Sequence, residues 1–139
     1  MKVLLDTNVL LDVYLRREPF FDASSQVVAL AEQGEIEGWI AGTTVTTIFY
    51  LLAKALSDEK AKQNVHNLLK LFNISSVNRV VLEDALDNGF KDYEDGVLYQ
   101  SALHTNLDVI VTRNQKDFFK SELPVYSPSE FLNALDILS

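Results

Sequence analysis

The stretch Val3-Leu4-Leu5-Asp6-Thr7-Asn8-Val9-Leu10-Leu11-Asp12 opens the chain with a change of period. Residues 2–5 form an apolar run of strand length that ends at the polar cluster Asp6-Thr7-Asn8, after which Val9, Leu10, Val13 and Tyr14 recur at helical spacing. Strand, polar turn and helix in direct succession make the start of a βα unit. The alternation continues outward from it. Residues 20–33 read as a helix stopped by Gly34, 36–41 as a strand, 43–56 as an apolar helix, and Ser57 as the cap of a helix running to 71. Residues 72–77 read as a third strand and 79–86 as a short helix closed by Asn88-Gly89. A helix over 92–105 carries its acids in the first turn, where they complement the helix dipole. Residues 108–112 form a fourth strand, 124–126 an edge strand, and Ser127-Pro128-Ser129-Glu130 has the cap, proline and glutamate of a final helix start. Strands separated by helices imply right-handed crossovers, so the expected fold is α/β, with a mainly parallel sheet of about four to five strands and helices on both faces. Sites on such sheets lie at the carboxyl ends of the strands.

Composition bounds what such a sheet can serve. A chain of 139 residues that is 47% hydrophobic suits one domain spanning 1–139. Apolar runs such as 48–52 and 109–111 are far shorter than the roughly 20 residues of a membrane span, and the start lacks the long apolar stretch of a signal peptide. A cytoplasmic protein is expected. With no cysteine, any metal must be held by oxygen or imidazole, which favours hard ions such as Mg²⁺ or Mn²⁺. Twelve basic against 20 acidic residues give a net charge of −8, which argues against a broad electrostatic grip on nucleic acid. A nucleic-acid substrate would need a local basic patch or metal ions that offset the carboxylates.

Two strands end in polar residues at the edge where sites form: Asp6-Thr7-Asn8 after the first and Thr112-Arg113-Asn114 after the fourth. The helix that opens Asp92-Tyr93-Glu94-Asp95 precedes the fourth strand, and Asp92 and Asp95, at i and i+3, share a helical face. A hard cation needs carboxylate oxygens brought together, since only the cation relieves their repulsion, and it can lower the pKa of water and stabilise charge on a phosphodiester. Taken singly, each residue has a plainer role. Asp6 reads equally as a helix cap, Asp92, Glu94 and Asp95 as dipole complements, and Asn114 and Asp117 as ordinary loop residues. Their coincidence at one sheet edge is what points to a metal site. His66 and His104 fall on helices away from the aspartates, and the Phe49-Tyr50 and Phe118-Phe119 pairs are expected in the core. Arg16, Arg17, Lys54 and Arg113 are candidates for phosphate contact.

Four segments carry a family resemblance: residues 3–12, Lys91-Asp92-Tyr93-Glu94-Asp95, residues 109–118 and Ser127-Pro128-Ser129-Glu130-Phe131-Leu132. In this order and spacing the chain resembles the PIN domain, in the bacterial subgroup whose toxin-like members sit beside antitoxin genes. The resemblance implies a three-layer α/β/α fold and a Mg²⁺- or Mn²⁺-dependent endoribonuclease, with RNA as substrate and an antitoxin protein and a second copy of the chain as partners. It places the metal on Asp6, Asp95 and Asp92, with Asp117 completing the catalytic acids. Asn8, Thr47, Thr112 and Asn114 then orient ligands and substrate, and Arg16 and Arg113 contact RNA. One departure stands out. The helix after the second strand often carries a metal-binding glutamate in this family, and here it reads Thr43-Thr44-Val45-Thr46-Thr47-Ile48-Phe49-Tyr50, without an acid. The alternative function is therefore a catalytically weakened module that binds RNA or a protein partner. An aspartyl-phosphate enzyme with Asp6 as nucleophile ranks below both, because position 8 holds Asn rather than a second aspartate and no glycine-rich phosphate loop is present.

Overall fold

The computed structural model describes residues 1–138. Five strands, β1 (Lys2–Leu5), β2 (Glu37–Ala41), β3 (Asn73–Ser75), β4 (Val109–Val111) and β5 (Val125–Tyr126), form one sheet in the order β3-β2-β1-β4-β5. All four pairings are parallel, with Leu4 opposite Trp39 of β2 and Ile110 of β4. Seven α-helices accompany them among the described residues: α1 (Thr7–Tyr14), α2 (Phe21–Glu32), α3 (Gly42–Ala55), α4 (Asp58–Leu71), α5 (Arg79–Asp84), α6 (Tyr93–His104) and, after the last strand, α7 (Pro128–Leu138).

The pleat divides the core. Val3 and Leu5 of β1, Ile40 of β2 and Val109 and Val111 of β4 point to one face, where they meet Val9, Leu10, Val27, Ile48, Leu52, Leu68 and Phe131. Leu4, Ala41 and Ile110 point to the other, against Leu98, Tyr99 and Ala102 of α6 and Phe118. Three layers result. The short central strands are buried on both sides, which is why β4 reads as an uninterrupted Val-Ile-Val run.

Local chemistry sets the boundaries. Ser57 caps α4 by accepting from the Lys60 amide, and Gly34 takes the left-handed φ of +75° that ends α2. Ser127 and Glu130 close a full capping box at α7, at 3.0 and 3.2 Å. The third strand is shorter than the expected 72–77. It lies at the sheet edge beside β2 alone, and beyond Ser75 the chain turns to α6, where Ser101 Oγ donates to Ser75 Oγ and to the Ser76 carbonyl. Among the aromatic pairs only Phe118 is fully in the core. Phe119 and Tyr50 are exposed, because each is followed or preceded in its helical turn by the residue that takes the inward position. Among the described residues no helix is long and apolar enough to cross a membrane.

Candidate metal centre

The strand order reverses direction between β1 and β4, so the carboxyl ends of these two neighbours open a crevice. Asp6 leaves β1 at this point and Thr112 leaves β4. The two side chains meet across the crevice, with Thr112 Oγ1 donating to Asp6 Oδ2 at 2.7 Å. Thr112 is fully buried, and its hydroxyl oxygen accepts from the Asn114 amide at 3.0 Å. Asp6 Oδ2 also receives Asn8 Nδ2 at 3.3 Å, while Oδ1 accepts from the Thr7 amide at 2.7 Å. Asp6 therefore does cap α1, and it does more. A carboxylate offers about four acceptor sites, and three are filled, which leaves one on Oδ1 for a further ligand.

Asp95 approaches from the opposite side. Asp92 caps α6 by accepting from the Asp95 amide at 3.1 Å, which puts Asp95 in the first turn. Asn88 fixes the preceding loop, donating to the Gly96 carbonyl and to Gln100 Oε1 while accepting from the Phe90 amide. Asp117 sits on a single 3-10 turn, Gln115–Phe118, tied to α7 by Gln115 Nε2 donating to Glu130 Oε1 at 2.6 Å.

These acids feel one another. Burial pushes the Asp95 carboxyl up to about 7, and the negative charges of Asp6, Asp92, Asp117 and Glu94 add to the effect. Burial likewise raises Asp6, although Thr112 and the Thr7 amide act against it, and Glu94 and Asp117 raise it further. Glu94 thus adds to the cluster's charge beyond the dipole complement that its place in the first turn of α6 implies. Among the described residues no three acidic or imidazole side chains are drawn together as a ready-made cage. Their like charges repel, and a divalent cation is the group whose charge would relieve that repulsion.

The other candidates take distinct places. Thr47 is half-buried on α3, one turn beyond Thr44, whose Oγ1 lies 3.1 Å from Thr7 Oγ1. Asn114 is exposed and leads into the turn that carries Asp117. Arg16 is exposed, with a φ of 49° and its guanidinium 5.6 Å from the Phe21 ring centre. Arg113 is already engaged: its Nε donates to Asp12 Oδ2 at 2.6 Å, its guanidinium lies 4.0 Å over the Phe20 ring, and its amide donates to Asn8 Oδ1. The partner of Arg113, Asp12, was not foreseen. An acid inside the apolar run Val9 to Tyr14 was the available signal, since a buried carboxylate demands a cation. His66 and His104 are exposed, the latter 3.0 Å from Asp84, and take no part in the cluster.

The raised carboxyl of Asp95 has a thermodynamic consequence. The folded chain keeps a proton that the unfolded chain releases near 3.8, so this contribution to stability is complete below 3.8 and is lost as pH rises through about 7. In metal-free buffer, urea midpoints should drop from pH 5 to pH 8 more in the parent than in Asp95→Asn. Equal drops in the two proteins would contradict the coupling.

A family model for the PIN domain matches residues 2–116. A curated relative, Ribonuclease VapC1 of Aquifex aeolicus, is 25% identical over 135 residues, covering 94% of this chain and 92% of its own. Among solved structures, a toxin-antitoxin complex from Klebsiella pneumoniae superposes with a TM-score of 0.67 at 23% identity, covering 91% of this chain and 97% of that one. VapBC-1 from nontypeable Haemophilus influenzae superposes with a TM-score of 0.70 at 17% identity, covering 93% and 99%.

Proposed function

From the premise that the chain belongs to the PIN domain family, we propose that it is a divalent-metal-dependent endoribonuclease, the toxin of a toxin-antitoxin pair, with its centre at Asp6 and Asp95. The observation that carries this reading is the Asp6 carboxylate: it is buried at the switch point of the sheet, oriented by three donors, and faced by an Asp95 whose carboxyl is raised to about 7. Asp6 and Asp95 would hold the ion, Mg²⁺ or Mn²⁺, and Asp92 and Asp117 would add negative charge around it. Bound there, such an ion supplies Lewis-acid stabilisation of charge on a phosphodiester and lowers the pKa of water.

The chain's own groups do the rest. Thr112 fixes the rotamer of Asp6, because its hydroxyl is held as a donor by the Asn114 amide that it accepts from. Asn8 ties the loop after β4 to the same carboxylate, accepting from Arg113 and donating to Asp6. The fit of carboxylates to a hard cation is one of charge and donor type. The raised Asp95 means that a proton must leave before the ion is held, so cleavage should rise with pH through about 7. The names of the relatives, a ribonuclease and a toxin-antitoxin complex, support RNA as the substrate and an antitoxin protein as the partner. The direct test is cleavage of single-stranded RNA by the purified chain with Mg²⁺ or Mn²⁺ and with chelator. Metal-dependent cleavage is expected, and equal cleavage in chelator would refute the mechanism.

The acid-free stretch around Thr47 favours a second reading, a weakened module that binds RNA or protein without cutting. Site affinity follows ligand charge, so Thr47→Glu should tighten Mn²⁺ binding on the order of tenfold and shift cleavage to lower metal concentration. Titration calorimetry checks it. Weaker binding in Thr47→Glu would place α3 outside the metal's reach.

A further inference from the structure

We propose that a hollow beside the metal centre, between Phe20 and Ser127, is a subsite for one nucleobase of single-stranded RNA, with Phe20 as its stacking platform. The proposal rests on the ribonuclease reading and adds to it where the substrate is held. The hollow has a volume of about 200 Å³ and is lined by Phe20, Ala23, Arg113, Ser127 and Ser129 together with Pro19 and Pro128. That is below the roughly 300–1,000 Å³ of a pocket for a drug-sized ligand, and it suits a single flat ring system.

Phe20 is the unusual member. It immediately precedes α2, is 39% exposed, and belongs to none of the buried clusters of the sheet faces. The ring is nevertheless held, because the Arg113 guanidinium lies 4.0 Å from its centre and is itself fixed by Asp12 at 2.6 Å. An aromatic face propped by an arginine and left open to solvent is the platform on which unpaired bases stack. Polar groups for a base edge stand beside it. Ser127 Oγ accepts from the Glu130 amide, which leaves its hydroxyl hydrogen to donate, and Ser129 is exposed.

Position links the hollow to the chemistry. Arg113 also lines a second cavity of about 340 Å³, together with Asn114, Gln115, Lys116 and Asp117. The Arg113 amide reaches Asp6 through Asn8 alone. Arg113 therefore links the hollow to Asp117 on the one hand and, through Asn8, to the Asp6 carboxylate on the other. Charge points the same way. At a net −8 the chain has little long-range attraction for phosphates, so its hold on RNA must come from stacking and from local cations such as Lys116 and Arg16, since Arg113 is paired with Asp12.

The test uses the full chain in an Asp95→Asn background, so that RNA is bound and not cut, and a single-stranded RNA carrying 2-aminopurine as the probe. Phe20→Leu keeps an apolar side chain of similar size and should weaken binding about tenfold, whereas Phe20→Tyr should bind within twofold of the background. An oligonucleotide made abasic at the position contacting Phe20 should bind the background weakly and show no further loss with Phe20→Leu. Unchanged affinity in Phe20→Leu overturns the subsite, as does a loss that persists undiminished on the abasic strand. If Phe20→Leu instead weakens only the binding of a protein partner, the hollow is a protein contact and the proposal fails. Cleavage by the parent chain separates the two levels: a parent that cuts RNA while Phe20→Leu behaves identically refutes the subsite alone. A parent that neither cuts nor binds RNA refutes both.

Discussion

Replacing Asp6 by Asn is expected to lower metal-dependent RNA cleavage by about three orders of magnitude while the chain remains folded. The size follows from the role: a direct metal contact supplies several kcal/mol of charge stabilisation in the transition state, and each step of about 1.4 kcal/mol is a factor of ten. The substitution is not isosteric in its hydrogen bonding. Every group facing Asp6, namely the Thr7 amide, Asn8 Nδ2 and the Thr112 hydroxyl, donates to it, so an amide nitrogen must turn toward a donor. Some local loosening accompanies the loss of charge. Asp95→Asn separates the two effects, because no side-chain hydrogen bond constrains that carboxylate and its removal relieves repulsion. Both variants should lose cleavage, and only Asp6→Asn should also lose thermal stability in metal-free buffer. Steady-state cleavage with thermal melts of each variant checks this pattern, and parental activity in either one contradicts the assignment.

The largest effect on stability is expected at Arg113. Asp12 is fully buried on α1, its Oδ2 is bound by Arg113 Nε, and its Oδ1 has no partner. Arg113→Met keeps the contact with Phe20 but leaves a buried carboxylate without a cation. Removing one partner of a buried pair costs about 3–5 kcal/mol, and the partial exposure of Arg113 places the expected loss near the lower end. Asp12 then takes up a proton on folding, which means that its folded pKa lies further above the unfolded value. Stability contributed by the neutral form is present at low pH and is lost as pH rises, so the deficit of Arg113→Met should be smaller at pH 5 than at pH 8. Asp12→Leu combined with Arg113→Met should recover most of the loss, since an apolar pair replaces the ion pair without an orphaned charge. Urea unfolding of the single and double variants reads all three expectations. A deficit that is independent of pH, or a double variant no better than the single one, would contradict the ion pair as the source of the loss.

Much of the architecture was legible because the chain alternates cleanly. A short apolar run followed by a helical period marked β1 and α1, and the caps at Ser57, Ser127 and Gly34 marked ends that the structure keeps. Asp6 was legible for the same reason: a polar cluster between a strand and a helix falls at the carboxyl edge of a parallel sheet. The contact between Asp6 and Thr112 spans 106 positions, yet it follows once β1 and β4 are neighbours. Other features had no local signal. The pairing of Asp12 with Arg113 across 101 positions and the stacking of Arg113 on Phe20 arise from tertiary packing. Arg113, read from sequence as a phosphate contact, is first of all a strut between α1 and the loop after β4. Helical period could not show which member of an adjacent aromatic pair turns outward, as Phe119 and Tyr50 do. Nor could it show that Asp92 spends one carboxylate oxygen on capping α6, which leaves Asp95 the better placed of the two toward the crevice.

The central claim, that Asp6 and Asp95 together hold one divalent ion, is tested most directly by Mn²⁺ titration calorimetry at pH 7 in two buffers of different ionisation enthalpy. With Asp95 titrating near 7, binding of one ion should release on the order of half a proton from that group, and both the binding and the release should vanish in Asp6→Asn and Asp95→Asn. Parental Mn²⁺ affinity in either variant, or binding with no proton released at pH 7, would contradict it.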